Sequence, residues 1–377
     1  MPSAIIFLLI FVLPLIVFPI GVSMFEIPKV ILTLILIEVL GIIYLLKPKQ
    51  LSLLKISFTH FIFYSFFLLC LFQFFLFPGL NLLLGSIFRL QGLFLLSHLL
   101  LFSYLSSKFI FSYPINWGVF CFFLLFFSAF IFNPGKNVDR LFGTMGEANT
   151  FAAVFIFLWP ILYQKVTNQY LKITLPSSAF LAIFFSGSRS GLLALFIQLF
   201  FLLLKKTKFV KLSLAIFLSL TILFLSLSFP FFEKTSNWDQ REQIWQMTIE
   251  QSKNNIFWGV GVGNIEKNIK LAAQKKDLLL QFAVVDNTHN FFLDWLLQTG
   301  IAGLTFIFLV LFRTFIQLYK QKNYFELAAL LGIITTLSFN PASVVNLVQL
   351  FWLFRHSFVN SYGQNSFSKN SLRNKMD

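Results

Sequence analysis

Long apolar stretches follow one another from the first residues of the chain, separated by short polar breaks, and the pattern changes once. From Pro230 to Asn290 the sequence is polar and mixed in charge, and apolar sequence then resumes. Many of the apolar stretches exceed the ~18–20 residues that carry a helix across ~30 Å of hydrocarbon. They predict helices over 4–25, 28–46, 57–77, 90–107, 115–132, 149–164, 171–186, 190–205, 211–229, 290–312, 324–339 and 343–359. Short turns at Glu26–Pro28 and Gly187–Arg189 divide neighbouring spans. The expected fold class is all-α: a polytopic transmembrane helical bundle of about twelve helices, with one large extracytoplasmic loop containing short helices. A transmembrane β-barrel would need alternating ten-residue segments, and these are absent.

Composition agrees with the pattern. Hydrophobic residues make up 58% of the chain and charged residues 11%, against about 25% charged in a soluble domain. Phe, with 55 copies, is the bulk filler. The basic residues then orient the spans. Alternate connections carry Lys47, Lys49 and Lys55; Lys108; Lys165 and Lys172; Lys205, Lys206, Lys208 and Lys211; and Arg313, Lys320 and Lys322. The tail adds Lys369, Arg373 and Lys375. This alternation predicts a multi-pass protein with both termini in the cytoplasm. No Lys or Arg precedes Lys29 and no small-residue cleavage site follows the first apolar run, which reads as a retained helix. The net charge of +15 is therefore mainly topogenic, because residues 230–289 balance 7 basic against 7 acidic side chains. Nucleic-acid binding would need a basic patch on a folded surface and is not expected. Cys70 and Cys121 fall inside apolar helices, so neither a disulfide framework nor a metal site is implied.

On this topology, three connections facing away from the cytoplasm hold the unusual residues. Ser186-Gly187-Ser188-Arg189-Ser190-Gly191 is a tight turn opening a helix. Arg189 runs against the positive-inside bias, and a helix N-terminus beside it suits a phosphate. Its other reading is an interfacial arginine snorkelling to headgroups. In Asn237-Trp238-Asp239-Gln240-Arg241-Glu242-Gln243-Ile244-Trp245, Asp239 and Glu242 have the spacing of an N-terminal cap. Ile244, Trp245, Thr248, Ile249, Ser252 and Ile256 form a helical stripe, the pattern of a short helix on the bilayer surface. Arg241 shares a face with Trp245; alternatively it is one of several exposed charges in intrahelical pairs. His289 follows Asn287 and Thr288, both candidate caps, and begins the next helix. A helix N-terminus disfavours imidazolium, so His289 could stay neutral and accept a proton, or serve only as an interfacial hydrogen-bonding residue.

Other features carry less. Trp258-Gly259-Val260-Gly261-Val262-Gly263-Asn264 lacks the strand–turn–helix setting of a nucleotide loop and reads as a flexible connection. Glu38 lies in the second apolar helix, where an isolated charge costs ~2.5–3.5 kcal/mol, so it is protonated, paired inside the bundle or proton-coupled. Arg89 and Arg140 fall on the same outer side and could supplement an anion site. Arginines can hold a diphosphate leaving group, and a neutral histidine can take a proton from an incoming hydroxyl. Such a leaving group requires no metal and no cofactor.

At these residues the chain resembles the O-antigen ligase and polymerase family of bacterial membrane glycosyltransferases. Ser188-Arg189-Ser190-Gly191 is similar to the family's S-R-x-G turn, and Arg241 with Trp245, then Gly259 to Asn264, resembles its outer loop. His289-Asn290, Leu293, Gly300 and Gly303 resemble its H-N-x-x-L, G, x-x-G pattern, and Leu141 to Asn149 resembles an upstream stretch. Two departures stand out: Gln298 where many relatives have Glu, and Glu147-Ala148 in place of Asn-Pro before Asn149.

The apolar pattern gives a single transmembrane domain over 1–359 and the Ser/Asn/Lys-rich composition a disordered cytoplasmic tail over 360–377, while the resemblance implies a catalytic region over 180–310 that includes the extracytoplasmic loop 230–289. It implies a bacterial inner-membrane enzyme that transfers a glycan from undecaprenyl diphosphate to an acceptor hydroxyl, with inversion. The acceptor would be a glycan, a lipid or a protein. In that scheme Arg189 and Arg241 bind the donor diphosphate, Arg89 and Arg140 make secondary donor contacts, and His289 is the catalytic base. A transporter or flippase of lipid-linked glycans is the alternative from another class.

Overall fold

The computed structural model describes residues 1–46, 58–109, 111–132, 140–206, 237–275 and 285–358. Every regular element among them is helical. In chain order these are α1 (Pro2–Phe7), α2 (Ile27–Leu45), α3 (Phe58–Leu76), α4 (Leu80–Leu84), α5 (Leu93–Lys108), α6 (Ile115–Ile131), α7 (Ala148–Lys165), α8 (Gln169–Phe185) and α9 (Arg189–Lys206). The loop region supplies α10 (Asn237–Asn254) and α11 (Ile265–Lys275), followed by α12 (Phe291–Lys320), α13 (Tyr324–Leu337) and α14 (Val344–Phe354). The expected helix over 211–229 and the tail over 360–377 lie outside the described residues.

Burial follows how apolar each helix is around its circumference. From Ala148 to Leu162 every residue of α7 is buried, and so is every residue of α14. A helix apolar on all sides belongs in the centre of a bundle. Helices α8 and α13 pack on α7, α9 packs on α13, and α5 packs on both α2 and α14. One polar cluster crosses this core. Trp159 Nε1 donates to Gln198 Oε1 (2.7 Å), while Gln198 Nε2 donates to Ile156 O (2.8 Å) and Ala328 O (3.0 Å), joining α7, α9 and α13. Polar side chains that satisfy one another in this way hold helices together where apolar contact alone does not discriminate.

The outward faces are also apolar. Phe67, Phe72 and Phe75 on α3, Phe127 and Phe130 on α6, and Phe180 and Phe184 on α8 are exposed. Exposed apolar surface on this scale is suited to lipid rather than water. By length and composition, two described helices suffice to cross a membrane, Ile27–Leu45 and Phe291–Lys320. Shorter apolar helices accompany them, among them Leu93–Lys108, Ile115–Ile131 and Tyr324–Leu337.

The structure departs from the sequence expectations at several elements. The first apolar run does not form a helix to residue 25. It passes from α1 into a π turn over Leu8–Val12 and a 3-10 turn over Leu13–Leu15, and Ile16 is extended. Pro14 and Pro19 remove amide donors there, so a regular helix cannot continue. The expected surface helix is α10, but its inner face is Ile244, Met247, Thr248 and Ser252, while Ile249 and Ile256 are exposed. It packs on α11 and α12, so protein rather than a bilayer surface covers that face. Glu38, expected to be protonated or paired, meets His98 Nε2 at 2.7 Å.

The largest correction concerns the glycine-rich stretch, which is pinned rather than flexible. Within α12, Gly300 breaks the helix at φ +65° and ψ −164°. The break leaves carbonyls and amides without helical partners, and the stretch after α10 supplies them. Val260 N donates to Leu297 O (2.8 Å) and Gly261 N to Gln298 O (3.0 Å). In return, Ile301 N donates to Ile256 O (2.7 Å) and Ala302 N to Phe257 O (3.3 Å). The backbones approach so closely that a Cβ at Gly300 would lie 2.3 Å from Phe257 C, and one at Gly259 2.4 Å from Gln298 C. Gln73 of α3 seals the junction, its Nε2 donating to Trp258 O (2.6 Å) and its Oε1 accepting from Val262 N (3.2 Å).

Gly300→Ala should therefore destabilise this junction by at least the ~1–3 kcal/mol of a strained left-handed residue, with the steric overlap added. Thermal unfolding and limited proteolysis of the detergent-purified protein should show a lower midpoint and new cleavage between α10 and α12. A variant that melts and digests like the wild type would mean that the junction contributes little.

Candidate active site

The turn before α9 is built by its own hydroxyls. Ser188 Oγ accepts from Gly191 N (3.2 Å), the bond of an N-terminal cap, so α9 starts at Arg189. Ser190 is tied across the bundle, with Asn340 Nδ2 donating to its Oγ. Arg140 braces the turn from the side: its Nε donates to Ser186 O (2.8 Å) and its Nη2 to Asn149 Oδ1 (2.9 Å). Arg189 is half-buried at the head of its helix.

His289 sits on the other wall. It does not begin the helix: Asn290 is the cap, its Oδ1 accepting from Phe292 N and Leu293 N, and α12 starts at Phe291. His289 itself takes φ +56°, and its amide donates to Asn287 Oδ1 (2.9 Å). The neighbouring Thr288 is fixed twice, by its amide donating to Asp294 Oδ1 (2.8 Å) and by Trp245 Nε1 donating to its carbonyl (2.8 Å). Trp245 belongs to α10, where Arg241 lies one turn earlier on the same face. The tryptophan thus joins the helix that carries Arg241 to the loop that carries His289.

The charges brought together in this way act on one another. Burial disfavours the charged form of Arg241; Glu147 opposes this effect, and Arg140 and Arg189 add to it. Arg140 is likewise disfavoured by burial, relieved by Glu147 and opposed by Arg189. No carboxylate among the described residues forms a salt bridge with Arg241. His289 is pushed down to about 4, first by burial and then by Arg241 and Arg89, with Asp286 pulling the other way. A neutral imidazole is therefore its ordinary state near pH 7.

Arg189, Arg241, Arg140 and His289 thus belong to one electrostatic neighbourhood. Arg89 is held differently. Its Nε donates to Asp286 Oδ2 at 2.6 Å and its Nη1 to Ala342 O at 3.3 Å. Burial opposes its charge, but Asp286, Glu26 and Glu147 outweigh that and reinforce it. Its visible work is to anchor the residues that lead into His289. The residues missed at first are Glu147, Asp286, Asp294 and Asn340. Glu147 occupies the position before α7, its Oε2 accepting from Thr150 Oγ1 (2.9 Å), and supplies negative charge to the arginine group. In the sequence it stands out only as a departure from the family's Asn-Pro before Asn149. Gln298 bridges instead of bearing charge: Oε1 accepts from Gly263 N (2.9 Å) and Nε2 donates to Asp294 O (3.2 Å). A carboxylate could not do both.

The fold and this site define an all-helical protein of membrane character with a neutral histidine set among arginines. Residues 177–308, about a third of the chain, match the family model described as O-antigen ligase. The match supports a glycosyltransferase-type function in polysaccharide biosynthesis, in a family of bacterial inner-membrane proteins. A search of curated proteins finds no match.

The depressed imidazole has a sign that can be measured. The unfolded chain takes up a proton near pH 6.5, whereas the folded His289 resists until about 4. Stability carried by this group is complete above about pH 6.5 and is lost as pH falls towards 4, with no further loss below. Melting curves of wild type and His289→Gln should diverge in that window and run parallel outside it. Parallel curves throughout would show that His289 titrates normally.

Proposed function

We propose that this protein is a polytopic inner-membrane glycosyltransferase of about twelve spans, with both termini in the cytoplasm and the arginine–histidine site on the extracytoplasmic side. It transfers a glycan from an undecaprenyl-diphosphate donor to an acceptor hydroxyl. The observation that carries this reading is the neighbourhood of Arg189, Arg241 and neutral His289, all within the region matched to the O-antigen ligase family. Arg189 and Arg241 bind the diphosphate, with Arg140 holding the turn that presents Arg189. His289 takes the proton of the acceptor hydroxyl. The acceptor oxygen forms the new bond to the anomeric carbon as the carbon–phosphate oxygen bond breaks on the opposite face. The configuration inverts, and the polyprenyl diphosphate leaves as an anion held by the arginines.

The same arginines make the base sensitive to the donor. Burial, with Arg241 and Arg89 adding to it, holds His289 near 4, too weak a base for efficient proton transfer at neutral pH. A bound diphosphate offsets those charges and raises the imidazole towards working pH. The base becomes effective when the leaving group is in place, which protects the site from idle chemistry.

Purified protein given a lipid-linked oligosaccharide and candidate acceptors should yield a glycosidic product and free polyprenyl diphosphate. His289→Ala should lower kcat by about 10²–10⁴-fold, the usual contribution of a positioned acid or base. Arg189→Ala and Arg241→Ala should weaken donor use by about tenfold or more each, the loss of one charge-assisted contact. Full activity in His289→Ala would remove the general-base assignment. Movement of intact donor across vesicles without bond cleavage would point to a flippase. In cells lacking the protein, loss of long surface chains with single units retained would identify a polymerase, and unattached full-length chains a ligase.

A further inference from the structure

A cavity lies at the end of α7 opposite the candidate active site. That helix runs 18 residues from Ala148, beside the candidate active site, to Lys165. Its length is about 27 Å at 1.5 Å per residue, close to the thickness of the hydrocarbon core. At the Lys165 end is a cavity of about 180 Å³ lined by Phe111, Tyr113, Lys165, Glu326, Trp352 and Arg355 among others. A water's share of liquid volume is about 30 Å³, so this space holds a group well beyond a single water.

Its polar groups define what it can take. Glu326 is already neutralised: Arg355 Nη2 donates to its Oε2 at 2.6 Å and His356 Nε2 lies 2.6 Å from the same oxygen. Arg355 also gives Nη1 to Trp352 O (2.9 Å), so its guanidinium is held by Glu326 and the Trp352 carbonyl. Lys165 is not: its Nζ lies 4.3 Å from the Tyr113 ring centre and 5.5 Å from that of Phe111, with no salt bridge to a carboxylate among the described residues. Tyr113 Oη and Trp352 Nε1 are buried polar atoms with no hydrogen-bond partner. Tyr113 is 9% exposed and Trp352 1%. An indole N–H and an ammonium can only donate, and a phenol donates readily. The complementary ligand is rich in acceptors and negatively charged.

We infer that this cavity is an anion site for a phosphate group at the inner face of the membrane, separate from the site of glycan transfer. Lys165 supplies the charge, Tyr113 and Trp352 the neutral donors, and the Phe111 and Tyr113 rings an apolar flank for the organic part of the ligand. The phosphate belongs to an anionic lipid headgroup or to a small soluble phosphate compound.

The test uses the full chain in nanodiscs of phosphatidylcholine, with and without phosphatidylglycerol, comparing wild type with Tyr113→Phe, Lys165→Gln and, as a surface control, Lys320→Gln. Phosphatidylglycerol should raise the unfolding midpoint of the wild type and of Lys320→Gln. Apparent affinity for it should fall about tenfold in Tyr113→Phe and Lys165→Gln, equivalent to one strong contact. Tyr113→Phe keeps the ring, and its midpoint in phosphatidylcholine alone checks that it folds. Protection of the wild type by inorganic phosphate, lost in the same two variants, would support the site and assign it to a soluble phosphate. An equal response of all four proteins to phosphatidylglycerol, or no response to either probe, would overturn the inference.

Discussion

The break in α12 at Gly300 governs how the two halves of the site meet. An uninterrupted helix would keep the carbonyls of Leu297 and Gln298 for itself and would offer no amides at Ile301 and Ala302. The left-handed residue releases all four groups, and the stretch from Ile256 to Gly261 takes them up. That exchange clamps the end of the α10 segment against the middle of α12. At the near end of the same two helices, Trp245 reaches Thr288 O. Arg241 and His289, 48 positions apart in sequence, are thereby held between two fixed points.

The arrangement explains why the histidine is neutral. Helix position matters less than first expected, because His289 precedes the cap instead of occupying the first turn. Burial and the nearby positive charge of Arg241 and Arg89 account for the shift. The cationic environment proposed to hold a diphosphate thus also helps to keep His289 neutral. Asp286 moderates both effects, since it pairs with Arg89 and pulls His289 back towards protonation.

Much of the helical architecture was legible because lipid imposes a simple rule: apolar runs of sufficient length become helices. The rule failed where proline interfered, at Pro14 and Pro19, and where a glycine broke a run that otherwise reads as continuous. Arg189, Arg241 and His289 were legible as polar residues at apolar borders. Their neighbours were not, because Glu147 and Asp286 acquire meaning only from charges distant in the chain. The glycine-rich stretch was misread for a related reason. Glycine signals freedom in isolation, but here it permits backbone contact so close that freedom is lost.

On the proposed function, diphosphate binding beside Arg241 raises the proton affinity of His289. This coupling is tested most directly by NMR titration of histidine-labelled protein in nanodiscs, with and without a polyprenyl diphosphate. The His289 titration should move up from about 4 when the diphosphate is bound, and Arg241→Ala should abolish most of that movement. A His289 titration unchanged by saturating polyprenyl diphosphate would contradict it.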